Sequence, residues 1–340
     1  MIPRPAHLAR ILNYYALIAI CVIGLVYHLL SSECHFFAPV QHTTNGIPKF
    51  IWYKLGPKGI SNDVRNWTDT CIKSNLHYEA NFITDEGSDE YVRKAFAFRP
   101  DIAQTYLAFS IPIYKADMLR CLLLWDQGGI WYDLDVFCEQ IPIDEWVPAE
   151  YKEAALVVVW EFDAEWPEPF DRQFASWTIM SRPRSPRMMQ VIDDILEEDL
   201  TLKMIGDVVD FTGPRRLTTI IFRSLEKKLK TINPTEVHSI LQPVLLKDVL
   251  ILPGRSFAAS ANKYTPEQEA LLPPQLVTHH YAGSWKNDKG GEMKRRRRQY
   301  GQPHVKLISY TSEEGNSAVS SVKTMLSAVT SAFVLDKTQW

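Results

Sequence analysis

Cysteine is scarce, with five residues in a chain of 340. None falls in a CxxC pair, so a disulfide-stapled scaffold and a structural zinc site both lack support. An excess of charge of one sign is missing too. With 37 Lys and Arg against 40 Asp and Glu the net charge is −3, and nothing global marks the chain for nucleic acid. The local exception is KRRRR, Lys294 to Arg298, which reads as a solvated surface run, or second as a site for anionic glycans or phosphates. No internal repeat is present, which sets aside solenoids and propellers. What remains, 46% apolar and 23% charged, is ordinary folded protein, enough for one large domain or two small ones.

Charge is also absent from ILNYYALIAICVIGLVYHLL, residues 11–30, which hold no Asp, Glu, Lys or Arg. About 20 such residues at helical rise match the bilayer's hydrocarbon thickness. A cleaved signal peptide usually has a shorter apolar core and a small-x-small site. Here the run is long and carries Tyr14, Tyr15, Tyr27 and His28 towards its ends. The expectation is an uncleaved anchor, making a single-pass type II membrane protein. Arg4 and Arg10 on the short side put residues 1–10 in the cytoplasm and everything after about residue 31 in a lumen. That medium is oxidising, so Cys34, Cys71, Cys121 and Cys138 are candidates for bridges whose pairing the sequence leaves open. Asn66-Trp67-Thr68 is an acceptor triplet for N-glycosylation, consistent with a lumenal domain, although such triplets also arise by chance.

Beyond a stem at 31–45 the pattern becomes α/β and defines a domain over 46–310. Period and composition predict strands near 49–54 and 76–83, and helices near 61–74, 88–98, 101–110 and 114–127. AALVVVW (154–160) and VLIL (249–252) read as buried strands. Helical patterns at 186–199 and 214–230 separate them, so a mostly parallel sheet flanked by helices is expected. The tail, 311–340, is Ser-rich. Its Val319, Val322, Leu326, Val329 and Phe333 make one helical stripe, which suits a terminal helix docked on the domain or a membrane-surface or partner helix.

The chemistry concentrates in KADMLRCLLLWDQGGIWYDLDVF, residues 115–137. In an extended segment residues i and i+2 share a face, so Asp133 and Asp135 would present two carboxylates together while Leu134 turns inward. Like charges that close need neutralising, and a hard divalent cation such as Mg²⁺ or Mn²⁺ does so while leaving room for a substrate diphosphate. Gly128 and Gly129 would end the preceding helix and leave space for a ligand near the strand's carboxyl end. Isolated Asp-x-Asp triplets are mostly turns or caps, so the surroundings must decide.

Those surroundings resemble the sugar-binding DXD region of glycosyltransferase family 32: Lys-Ala-Asp, Arg three residues after that Asp, Gly-Gly-Ile, then Asp-x-Asp. Further similar blocks follow in order: IPKFIWYK, VVVWEFDAEW, QFASWTIMSRPRSP, DFTGP, VLILP and HHYAGSWK, spanning about residues 47–287. The middle blocks are most similar to fungal Golgi initiation-type α-1,6-mannosyltransferases. The resemblance implies a GT-A fold, a Rossmann-like sheet that binds a nucleotide sugar with Mn²⁺ (or Mg²⁺) between aspartates and diphosphate. By matching position, Asp133 and Asp135 become metal and donor ligands and catalytic residues, and Asp117 and Arg120 donor contacts. The alternative for Asp117 and Arg120 is an exposed ion pair. Trp131 stands where the family usually has Tyr, a change that keeps a stacking role and loses a phenol hydrogen bond. His280 of HHYAG is similar to the third metal ligand of related enzymes, with His279 an equal competitor by sequence, and Lys286 is placed to neutralise phosphate.

Two further sites are less specific. Thr212 of DFTGP suits a cap on a helix beginning at Pro214, and that helix's N-terminus could face ligand groups. Glu161, with Asp163, would stand at a strand's end, where either can orient an acceptor hydroxyl or hydrogen-bond within the fold. The activity implied is retaining α-1,6-mannosyl transfer from GDP-mannose to a mannose of a protein-linked glycan in the Golgi lumen. A double displacement needs a carboxylate close to the anomeric carbon, which the sequence does not place, so front-side substitution is preferred. Partners implied are the nucleotide sugar, the glycan acceptor, the membrane and other Golgi glycosyltransferases in complex, with no nucleic acid. Rival readings are a family 32 enzyme with another donor or an inositol phosphoceramide acceptor, and an inactive lectin-like or scaffold protein.

Overall fold

The computed structural model describes residues 42–43, 45–163, 172–197, 208–229 and 237–283, with five positions between 15 and 22. The chain divides into Met1–Lys294 and Arg295–Trp340, and every described residue belongs to the first. The expected anchor falls mostly outside these residues; Tyr15, Ile18 and Val22 within it are exposed. Among the described residues no helix is long and apolar enough to cross a membrane. The tail stripe, the KRRRR run, Lys286 and Cys34 all lie outside the described residues.

One seven-stranded sheet organises the domain, in the order β2-β1-β3-β6-β5-β8-β7. Its strands are β1 (Phe50–Lys54), β2 (Glu79–Ile83), β3 (Gly129–Tyr132), β5 (Leu156–Val159), β6 (Thr178–Ser181), β7 (Val244–Leu246) and β8 (Val249–Leu252). A second, two-stranded sheet pairs β4 (Val136–Cys138) with β9 (Val277–His279). The helices that matter below are α1 (Asn62–Ser74), α2 (Asp85–Ala95), α3 (Pro100–Ala108), α4 (Pro112–Asp126), α5 (Pro186–Leu196), α6 (Val208–Phe211) and α7 (Pro214–Leu229).

The apolar runs are continuous because both faces of the sheet are covered. Along β3 and β5, Trp131, Leu156 and Val158 join a core packed under α4, α5 and α7. Their neighbours Ile130, Tyr132, Val157 and Val159 join a second core on the other face, with Cys71, Cys138 and Phe257.

The sheet is mixed, which corrects the mostly parallel expectation. β1 pairs parallel with β2 and β3, and β5 with β8, but β6 runs antiparallel between β3 and β5, and β7 antiparallel at the edge. Parallel neighbours need a long crossover, usually helical. No helix is described between β5 and β6, and only Lys247 and Asp248 separate β7 from β8. Lys247, with φ of +57°, turns that hairpin.

The glycine pair also differs from expectation. Gly128 and Gly129 sit at the amino end of β3, away from the carboxylates, with φ of +68° and +99°. A Cβ on Gly128 would stand 2.7 Å from Pro183 N, and one on Gly129 2.7 Å from Phe50 O. They are needed for close backbone packing against β6 and β1 rather than for ligand space.

Candidate functional site

The site begins on α4, whose residues are apolar on nearly every side apart from a few charges. Asp117 and Arg120, three apart, share a helix face and are each only 4% exposed, so the exposed-pair alternative does not apply. Burying charge demands partners, and both have them. Arg120 Nη1 donates to Asp117 Oδ1 at 2.9 Å, and its Nη2 to Asp133 Oδ1 at 3.2 Å. Thr212 Oγ1 donates to Asp117 Oδ2 at 3.0 Å. The Arg120 guanidinium lies 5.1 Å from the Trp131 ring centroid, close enough for cation–π attraction. Burial pushes the Asp117 carboxyl above its ordinary value, against the pull of Arg120.

Asp133 and Asp135 follow β3 in a tight turn, not in the extended segment first expected. Val136 N–H closes the turn on Asp133 O at 3.2 Å, and Asp133 N–H donates to Trp177 O at 2.9 Å. Leu134 packs against the second core, so the turn, anchored by that side chain, brings both carboxylates close together. Trp131 Nε1 donates to Asp133 Oδ1 at 2.7 Å, and with Arg120 it fixes that carboxylate's orientation.

Asp135 is held from the chain's other end. β9 pairs antiparallel with β4, Val136 opposite His279, which brings His279 Nε2 to 3.2 Å from Asp135 Oδ1. Ala282 N–H donates to Asp135 Oδ2 at 2.8 Å and His280 N–H to Asp135 O at 2.9 Å. Burial works to raise the Asp135 carboxyl, but the His279 hydrogen bond and charge, with Ala282 N–H, carry it below the ordinary value. The His279 ring stacks on Trp177 at 4.1 Å and meets the tilted Tyr281 ring at 4.1 Å. Tyr281 itself takes a φ of +48°, an uncommon conformation for a bulky residue. Ligand atoms of Asp133, Asp135 and His279 all lie within 4.8 Å of one another. Two carboxylates and an imidazole are a donor set that suits a borderline divalent cation such as Mn²⁺.

Residues 61–153, which contain most of this arrangement, match the family described as a glycosyltransferase sugar-binding region containing a DXD motif. The protein is a glycosyltransferase. An "Initiation-specific alpha-1,6-mannosyltransferase" of Candida albicans is 29% identical over 72% of this chain and 74% of its own length. The enzyme of that name from Schizosaccharomyces pombe is 28% identical over 77% and 69%. A shorter match, 31% identical over 28% of this chain and 24% of the relative, is to "Mannosyl phosphorylinositol ceramide synthase CSH1" of Saccharomyces cerevisiae. With the enzyme class shown, the inactive scaffold reading is set aside.

The remaining residues singled out in the sequence of this glycosyltransferase divide. Glu161, just beyond β5, is 6% exposed. Gln173 Nε2 donates to its Oε2 at 2.6 Å, and burial lifts its carboxyl to about 7 against the pull of Gln173 and His279. Asp163 is committed to the fold: its N–H donates to Asn262 Oδ1 and its Oδ2 accepts from Ser239 N–H. Trp131 offers no stacking face to a ligand, because it is 1% exposed and packs in the core; its indole N–H instead donates to Asp133. Thr212 donates its hydroxyl to Asp117, a contact beyond the capping role expected of it. His280 stands away from the aspartates' side chains, stacked on Trp67 at 4.5 Å. The reason is alternation: residue 279 ends a strand aimed at Asp135, so the next side chain turns to the opposite side. Thr212 on Asp117, Gln173 on Glu161 and Trp177 under His279 were not legible individually, although Gln173 and Trp177 both fall in the QFASW block.

Proposed function

We propose that this glycosyltransferase moves a mannosyl group from GDP-mannose to a mannose hydroxyl of a protein-linked glycan, forming an α-1,6 linkage in the Golgi lumen. The observation that carries the reading is the convergence of Asp133, Asp135 and His279. Similarity to the two initiation-specific enzymes supports mannosyl transfer and an α-1,6 linkage. The uncharged run at 11–30 supports a type II anchor, and a mixed sheet with the aspartates beyond a central strand is compatible with a GT-A fold. A divalent cation, Mn²⁺ by preference, would be held by those three side chains and would supply neutralisation of diphosphate charge.

The chain's own residues then have separable tasks. Arg120 and Trp131 hold Asp133 in one orientation, and Asp117 with Thr212 holds Arg120, so the carboxylate does not reorganise as charge develops on the leaving diphosphate. The covalent path is front-side substitution: the acceptor oxygen bonds to C1 as the C1–oxygen bond to the diphosphate breaks on the same face, the acceptor proton passes to the leaving phosphate, and the sugar keeps its α configuration. Glu161, buried and near neutrality in its affinity for protons, is the group we assign to orient the acceptor hydroxyl. The shorter similarity to a ceramide-modifying enzyme makes a glycolipid acceptor the second reading.

The test is a panel of nucleotide sugars offered to the full chain with mannose oligosaccharides or inositol phosphoceramide, followed by linkage analysis. GDP-mannose and an oligosaccharide acceptor should give α-1,6 product that requires Mn²⁺. Turnover of another donor, or full activity in chelator, would remove the proposal.

A further inference from the structure

We infer that Asn66 carries an N-linked oligosaccharide, and that it is attached before α1 folds. Asn66-Trp67-Thr68 is the one Asn-x-Ser/Thr triplet in the sequence whose middle residue is not proline; Asn233-Pro234-Thr235 is disqualified by Pro234. Three observations turn this triplet from a chance match into a site.

The first is exposure: Asn66 lies on the solvent side of α1, with Asn62 and Lys73 at helical spacing and also exposed. A branched glycan there meets no core residue. The second is compartment. Cys71, five residues on along the same helix, is bridged to Cys138 on β4, and such bridges persist in the oxidising space where N-glycosylation takes place. The third concerns Thr68, whose hydroxyl the acceptor triplet requires. It is 1% exposed and donates to Val64 O at 2.9 Å within the helix, so it cannot be engaged from outside once α1 has formed. The triplet is usable only while the segment is extended, and closure of Cys71–Cys138 ends that period.

In the transfer, the Asn66 amide nitrogen forms a bond to C1 of an oligosaccharide carried on a lipid diphosphate. The C1–oxygen bond to the diphosphate breaks, the amide loses one proton, and the lipid diphosphate leaves. Trp67, stacked on His280, places the attachment point one residue from the segment that clamps Asp135. The inference depends on entry into an oxidising compartment and not on the donor or acceptor proposed above.

The test is expression of the full chain in a eukaryotic host, then peptide-N-glycosidase digestion in ¹⁸O-water with peptide mass spectrometry. Digestion should increase gel mobility and leave ¹⁸O-labelled aspartate at position 66. Asn66→Gln and Thr68→Val should abolish both signals, and Thr68→Ser should keep them. Cys138→Ser, which leaves α1 unbridged, should be occupied at least as fully as the natural chain. An unlabelled, unshifted natural chain would overturn the site, as would a shift that survives Asn66→Gln. Lower occupancy in Cys138→Ser would overturn the order of events. Because transfer activity is measured separately, an active enzyme without the label would end this inference alone.

Discussion

Replacing Glu161 by Gln should stabilise the protein in alkali and impair its chemistry. Glu161 is 6% exposed, and burial raises its carboxyl from the ordinary 4.5 to about 7. The folded state therefore binds this proton more tightly than the unfolded chain. Its stabilising contribution is complete below pH of about 4.5 and is lost as pH rises through about 7. The gap of about 2.5, at about 1.4 kcal/mol per pH unit, makes the loss about 3 kcal/mol. Gln at 161 keeps an oxygen for the Gln173 amide, which donates at 2.6 Å, and has no charge to bury. Urea titrations in chelator, without donor, should find Glu161→Gln and the natural protein equal near pH 4 and the variant more stable by about 3 kcal/mol at pH 8. For a domain of this size that is roughly 6–10 °C in melting temperature. Transfer at pH 7 should fall by at least about tenfold, as expected for loss of the group that orients the acceptor hydroxyl. Stability curves that stay parallel across the pH range would refute the assignment of a buried, proton-holding Glu161.

Two other perturbations probe the supports of the site. Arg120→Met leaves Asp117 buried beside Thr212 without its cation, so chemical denaturation should report a loss of about 3–5 kcal/mol, and donor KM should rise because Asp133 loses its orienting partner. Removing the Cys71–Cys138 bridge, which spans 67 residues, with Cys71→Ser should cost about 2–5 kcal/mol. A melting point insensitive to reductant would contradict the bridge.

The long elements were legible because their signals are local. The α4 pattern, the two glycines at its end and the buried VVV and VLIL runs each declare themselves within a few residues. The mixed sheet was not, because a four-residue strand such as β6, buried on both faces, has no period to distinguish its direction. The site follows the same division. Asp117, Arg120, Asp133 and Asp135 stand in one 19-residue stretch with recognisable spacing. Choosing between His279 and His280 required knowing that β9 pairs with β4, a contact across more than 130 residues. The fates of Trp131 and Thr212 depended likewise on packing, because each donates a hydrogen bond to an aspartate that the sequence treated as facing ligand.

The central claim, that a cation is held by Asp133, Asp135 and His279, is tested most directly by titrating Mn²⁺ into the protein with GDP present and following the free-ion paramagnetic resonance signal. His279→Ala should weaken Mn²⁺ binding by at least about tenfold, as Asp135→Ala should, while His280→Ala binds as the natural chain does. Natural affinity in His279→Ala, or a loss confined to His280→Ala, would contradict it.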